Sequence, residues 1–173
     1  EFCGDTQDVI QALNEVIEHA PVNPPTELIS VFSEEHRLLP TGTPFPGFWD
    51  NTRTPYWVEP MNNMGPYSSV TREILVKAAQ MGATAMLENI IGYYIKSAPC
   101  EILYITGNET MLKKWAYKRL EPMIDSIDAR KLFQAKTEST KGKSSGDMSL
   151  LKLFLGGALN MASAQSGGNI RSD

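Results

Sequence analysis

The residues best suited to chemistry lie in the turn between Val76 and Ala85. A phosphate-binding loop needs small residues, so that successive backbone N–H groups can point at phosphate oxygens. It also needs a helix opening directly behind it, with its positive end facing the anion, and a Ser or Thr hydroxyl for Mg²⁺. Set against G-x-x-x-x-G-K-[ST], the run Lys77-Ala78-Ala79-Gln80-Met81-Gly82-Ala83-Thr84 keeps Gly82 and Thr84 and departs twice. Ala83 stands in the lysine position and Lys77 in the first-glycine position. As a bare pattern, this also describes an ordinary strand-to-helix turn. Lys77, however, sits at the mouth of the loop, where its ammonium can swing back over the bend toward β- and γ-phosphate oxygens. Moving the charge to the other end of the loop preserves the electrostatics that phosphoryl transfer requires. The plainer reading of Lys77 is a solvated lysine at a strand end.

The elements around this turn must hold it in place. Ile74-Leu75-Val76 is a short aliphatic run and predicts a strand buried on both faces. A helix is expected from Ala85 to about Ser97, ended by Pro99. Ile102-Leu103-Tyr104-Ile105 predicts a second buried strand, and Glu109 to Leu120 a helix that stops before Pro122. Strand, turn, helix, strand, helix is the rhythm of an α/β fold with a parallel sheet and helical crossovers. Leu150–Leu155 and Ala158–Ala162, separated by Gly156-Gly157, predict a β-hairpin. Upstream, Val9, Ile10, Leu13, Val16 and Ile17 recur at helical spacing behind Thr6, so residues 6–19 read as an amphipathic helix that closes on His19. Thr26 is placed to cap a second helix through Leu38, with Leu28, Ile29 and Phe32 on its buried side. Pro40 to Pro55 reads as an ordered loop pinned by Phe45, Phe48 and Trp49. Thr54-Pro55 opens a short helix in which Pro60 predicts a kink. Residues 136–149, almost all Lys, Ser, Thr and Gly, read as an exposed loop.

Composition sets the outer limits. The chain has 173 residues, 42% hydrophobic and 21% charged, which is the material of about one globular domain. A net charge of −4 argues against a protein coated in positive charge. The longest apolar stretch, Ala85 to Ile95, is interrupted by Glu88 and Asn89 and falls short of a membrane span. Cys3 and Cys100 stand alone, and neither His19 nor His36 has a partner at metal-ligand spacing. Lys136, Lys141 and Lys143 could touch a DNA backbone, but Glu138 and Asp147 offset two of these charges, which favours a solvated loop. Trp49, Trp57 and Trp115 are most simply packing residues. Arg119 reads as a solvated cation near a helix end.

A resemblance adds to this reading. The run Val76 to Thr84 and the following Leu87-Glu88-Asn89-Ile90-Ile91-Gly92-Tyr93-Tyr94-Ile95 are similar to the phosphate-loop region of the large terminase subunit of tailed bacteriophages, in its GpA-type branch. The likeness continues in Thr54-Pro55-Tyr56-Trp57-Val58-Glu59-Pro60-Met61-Asn62, in Trp115, and in Arg119-Leu120-Glu121-Pro122-Met123-Ile124. It extends through Phe154-Leu155-Gly156-Gly157-Ala158-Leu159 to Ser163-Ala164-Gln165-Ser166 and Ile170-Arg171-Ser172. Several ordered blocks carry it from near residue 27 to the end. It implies a P-loop NTPase core of the RecA-like (ASCE) type, mainly parallel sheet with helical crossovers, preceded by N-terminal helices. Residues 1–53 would be the helical and loop segment and 54–173 a partial ATPase domain.

The resemblance further implies ATP and Mg²⁺ as ligands. Lys77 would contact the nucleotide phosphates, Ala78, Ala79, Gln80, Met81, Gly82 and Ala83 would form the cradle, and Thr84 would ligate Mg²⁺. A lysine moved to the front of the motif is a variant of this branch. Tyr56 lies where the family places an aromatic near adenine, and packing in the core is the equal alternative. Arg171 would reach a neighbouring subunit's site, the other reading being a surface arginine near a chain end. In the family this lobe drives double-stranded viral DNA into a procapsid in the cytoplasm of an infected bacterium. It works as a ring of subunits with the portal and the small terminase subunit, while a separate nuclease domain cuts the DNA. No aliphatic strand ending in Asp-Glu, the acidic pair needed for hydrolysis, occurs in these residues, so a truncated lobe with little turnover is expected. The competing expectations are a non-catalytic module that docks a partner such as the small subunit, and a helicase-like ATPase unrelated to packaging.

Overall fold

The computed structural model describes residues 25–133 and 150–165. The expected helix 6–19, Cys3, His19, the loop 136–149 and Arg171 lie outside the described residues.

Helix α1 (Ile29–His36) buries Ile29 and Phe32, as their spacing predicts, but leaves Leu28 exposed and begins later than Thr26. Its N-terminus takes no side-chain cap from its own strand of sequence. The Ser30 N–H instead donates to Asn62 Oδ1 at 3.0 Å, so a neighbouring element satisfies the open donor and fixes the start. Strands β1 (Leu38–Leu39) and β2 (Gly47–Phe48) form a small antiparallel pair, and of the aromatics expected to pin this loop only Trp49 is buried. A 3₁₀ turn at Pro55–Trp57 runs into α2 (Val58–Asn63). Pro60 falls in the first turn of α2, where a missing N–H breaks no helical bond.

Helix α3 (Ala83–Lys96) is the longest described element. One side packs with α1, α2, Trp49 and Trp57 around Met61, Met86 and Tyr93. The other side, through Ile91 and Ile95, joins a second core against the sheet. Strands β3 (Glu101–Thr106), β4 (Leu151–Phe154) and β5 (Gly157–Ser163) lie in the order β3-β5-β4. β5 runs parallel to β3, with Glu101 opposite Ala158 and Thr106 opposite Ser163, and antiparallel to β4. The sheet is therefore mixed among the described residues, where a mainly parallel one was expected. The β4–β5 hairpin is the predicted one. Gly156 turns at φ +80°, and a Cβ on Gly157 would lie 2.4 Å from the Cys100 carbonyl oxygen, so only glycine fits there.

Three expectations are corrected. Ile74-Leu75-Val76 is extended but belongs to no strand, and Val76 is 98% exposed. An aliphatic triplet becomes a buried strand only when a neighbour supplies its backbone partners, and none of the described strands does. β3 is not buried on both faces, because among the described residues only one face of the sheet is covered. Ile102 and Tyr104 face the helices, whereas Leu103 and Ile105 lie exposed with Leu151 and Leu153 of β4. The helix from Glu109 does not stop before Pro122. It runs as α4 (Glu109–Trp115), a π turn (Ala116–Leu120) and α5 (Glu121–Ser126). A helical proline lacks its own N–H and presses on the carbonyl four residues back, here Lys118, and the wider π turn around that carbonyl absorbs the defect.

Candidate nucleotide-binding site

Residues 69–82 reach α3 without regular structure, and the turn just before the helix is sharp. Gln80 (φ +58°) and Gly82 (φ +81°) both take left-handed backbone, a cost of order 1–3 kcal/mol for the non-glycine residue that the surroundings must offset. Those surroundings are aromatic. The Trp57 indole N–H donates to the Met81 carbonyl oxygen at 2.7 Å, and the Tyr56 hydroxyl lies 3.5 Å from the same oxygen, its ring edge-on to Trp57. Trp57 is buried, so the 3₁₀ turn acts as a fixed post against which the loop is tied. Helix α3 opens at Gly82 with no side-chain cap, which leaves its first-turn N–H groups open to an acceptor from outside.

A cavity of about 430 Å³ lies at this helix end. Of the sequence-predicted residues, Tyr56, Lys77, Gln80, Met81, Gly82, Ala83 and Thr84 all line it. Ala78 and Ala79 do not, although the Ala78 carbonyl oxygen accepts from Lys77 Nζ at 3.0 Å. The lysine is thus folded back over its own loop. The far wall comes from residues between Thr43 and Arg53, within the segment 1–53 expected to precede the ATPase domain, and from Thr54. There Arg53 sits above the Phe45 ring at 5.3 Å and pairs with Asp50 at 3.2 Å. The two Thr52 hydrogen bonds, with lesser help from Arg53, hold the Asp50 carboxyl below the ordinary carboxylate range. Among the described residues three cations, Arg53, Lys77 and Arg119, therefore line the cavity with one carboxylate.

Arg119 is where the reading of a solvated cation fails. Its Nε donates to Glu88 Oε1 at 2.6 Å and its Nη2 to Oε2 at 3.3 Å. Glu88, 1% exposed, also accepts from Arg37 Nη2 at 2.9 Å and from the Trp115 indole N–H at 3.1 Å. Arg37 is buried too, and desolvation lowers its pKa despite the carboxylate beside it. The sequence held one signal of this cluster: an acidic residue inside the otherwise apolar run Ala85–Ile95, which cannot be buried without partners. The partners lie 51 and 31 positions away, beyond any local pattern. All three tryptophans are packed, and each indole N–H has an acceptor: Asn51 Oδ1 for Trp49, Met81 O for Trp57 and Glu88 for Trp115.

Residues 43–173 match the family described as phage terminase large subunit gpA, ATPase domain. The chain belongs to this family. The matched region takes in the far wall of the cavity as well as the loop and α3. No curated protein and no solved structure matches the chain. Among the described residues of this terminase ATPase family member, no helix is long and apolar enough to cross a membrane, and no cluster of three or more His, Cys, Asp or Glu could hold a metal.

Proposed function

We propose that the cavity at the head of α3 is the ATP site of a DNA-packaging ATPase. The observation that carries this reading is the convergence on one cavity of Lys77, the left-handed loop at Gln80–Gly82, the uncapped start of α3 and Tyr56. The phosphates would lie against the open N–H groups of Ala83, Thr84 and Ala85, with the Lys77 ammonium leaving the Ala78 carbonyl to meet them. Tyr56, half exposed and anchored beside Trp57, offers the base a flat apolar surface. Mg²⁺ held by Thr84 and the phosphates would neutralise charge as it develops. The surrounding core would be a RecA-like P-loop lobe covering residues 54–173. In a ring of subunits, it would couple hydrolysis to movement of viral DNA beside a portal, a small subunit and a nuclease domain. Arg171 would serve a neighbouring subunit's site.

Binding and turnover separate in this reading. Among the described residues, the only carboxylate lining the cavity is Asp50, and it is committed to Thr52 and Arg53. A carboxylate held ionised in this way is a weak base for an attacking water. The 173-residue chain is therefore expected to bind ATP and hydrolyse little of it. Fluorescence titration with ATP, with and without Mg²⁺, tests the reading. Saturable binding at sub-millimolar ATP, weakened by Lys77→Ala and made less Mg²⁺-dependent by Thr84→Ala, is expected. Indifference to ATP at millimolar concentration would favour a docking scaffold instead, and brisk turnover abolished by Lys77→Ala would overturn the low-turnover part.

A further inference from the structure

We propose that Arg119 is a second phosphate ligand of this cavity, held ready by Glu88, which acts as a positioning residue; the inference rests on the nucleotide reading above. The first argument is charge balance. Arg37 alone neutralises Glu88 from the buried side, and Arg119 adds a second cation to the same carboxylate. The cluster so carries one positive charge in excess beside a cavity whose single carboxylate among the described residues, Asp50, already serves Arg53. An excess charge in a partly dry wall is unfavourable until an anion faces it.

Geometry is the second argument. Glu88 engages the Nε and Nη2 of Arg119, so one edge of the guanidinium fork is fixed, while Nη1 has no partner among the described residues. A planar fork held along one edge presents its remaining donors in a set direction, an arrangement suited to phosphate oxygens. Glu88 is itself saturated by Arg37 and Trp115, so its carboxylate cannot swing away to follow the arginine. The third argument is local backbone. Arg119 stands in the π turn Ala116–Leu120, and a turn of that kind, often found at functional sites, sets the angle at which the side chain leaves the helix. Together these place a guanidinium and the Lys77 ammonium on the wall of one cavity that also contains the uncapped helix end.

The test compares ligands that carry phosphates with one that carries none. ATP and inorganic tripolyphosphate are titrated against the full 173-residue chain, against Arg119→Gln, Arg119→Lys and Lys77→Ala, with adenosine as the neutral control. In Arg119→Gln both anions are expected to bind about tenfold more weakly, as one charged hydrogen-bonding partner is lost, while adenosine is unchanged. Arg119→Lys keeps a cation opposite Glu88 and protects the fold. It loses the fork, so an intermediate, several-fold weakening is expected at unchanged melting temperature. Glu88→Asp, which pulls the carboxylate back, should reproduce the weakening for the two anions and spare adenosine, a selectivity that general destabilisation would not give. Wild-type affinity for ATP and tripolyphosphate in a folded Arg119→Gln or Arg119→Lys protein, with binding weakened in Lys77→Ala, overturns this inference and leaves the nucleotide reading standing. Failure of the unaltered chain to bind either anion overturns both.

Discussion

The first turn of α3 and the next one are built on opposite principles. At Gly82–Thr84 the helix leaves its donors open, the loop before it takes left-handed backbone, and the nearby ammonium of Lys77 holds only a neighbouring carbonyl oxygen. Four residues on from Thr84, Glu88 is buried and accepts from four donors on Arg37, Arg119 and Trp115. The open turn contributes little to holding the fold and has capacity left for a ligand. The closed turn ties the end of α1, through Arg37, to α3, α4 and the π turn and has none. The lesson is that binding and stability can be perturbed separately along one helix, with Arg119 as the residue that belongs to both regions.

The largest effect is expected from Glu88→Gln. It leaves Arg37 buried without a counter-charge, and breaking a buried pair from one side costs about 3–5 kcal/mol. Urea melts should show the loss directly. A change under about 1 kcal/mol would mean that the closed turn is no anchor, and the contrast between the two turns would collapse. Lys77→Ala is the mirror experiment. About 10- to 100-fold weaker ATP binding is expected from loss of a charged hydrogen-bonding partner, with stability moved by no more than about 0.5 kcal/mol because the side chain is exposed. A melting shift as large as that of Glu88→Gln would show that the open turn is structural after all. Gly82→Ala lies between the two. At φ +81° an added Cβ costs about 1–2 kcal/mol, while its nearest neighbour, the Trp57 indole nitrogen, is 3.7 Å away and makes no clash. A modest loss of stability together with weaker ATP binding is therefore expected; unchanged values of both would show that the loop relaxes freely into another shape.

Local patterns in the sequence showed the open turn well and the closed one hardly at all. Small residues, a glycine and a hydroxyl before an apolar run announce a turn into a helix, and α3 starts at Ala83, two residues ahead of the expected Ala85. The β4–β5 hairpin was equally legible, because its glycines sit where a turn and a close backbone contact require them. Arg37 and Arg119 gave no comparable sign, since an ion pair across 51 or 31 residues leaves no periodicity to read. Ile74-Leu75-Val76 misled for the converse reason. Its composition says apolar, whereas strand formation depends on a partner that composition does not encode. Pro122 misled because a local rule for ending helices was overridden by a π turn within the same helix.

The smallest effect, and the one that probes the far end of α3, concerns Tyr93. Its ring is fully buried against Phe32, and its hydroxyl donates toward the carbonyl oxygens of Pro25 and Glu27, each 3.2 Å away. Burial, with smaller repulsion from Tyr94, Glu27 and Tyr67, pushes the phenol up to about 12. The unfolded chain ionises this group near 10, so the folded state binds the proton more tightly. Stability tied to the group is intact below pH 10 and declines as pH rises from there toward 12. Tyr93→Phe removes both the hydrogen bonds and the titration. At pH 8 the variant is expected to be less stable by about 1 kcal/mol. Above pH 10 the gap should narrow, because only the unaltered chain is paying for a buried phenol. Urea midpoints measured from pH 8 to 11.5 check this, and two curves that stay parallel across the range would show that this end of the helix is open to water, as its first turn is.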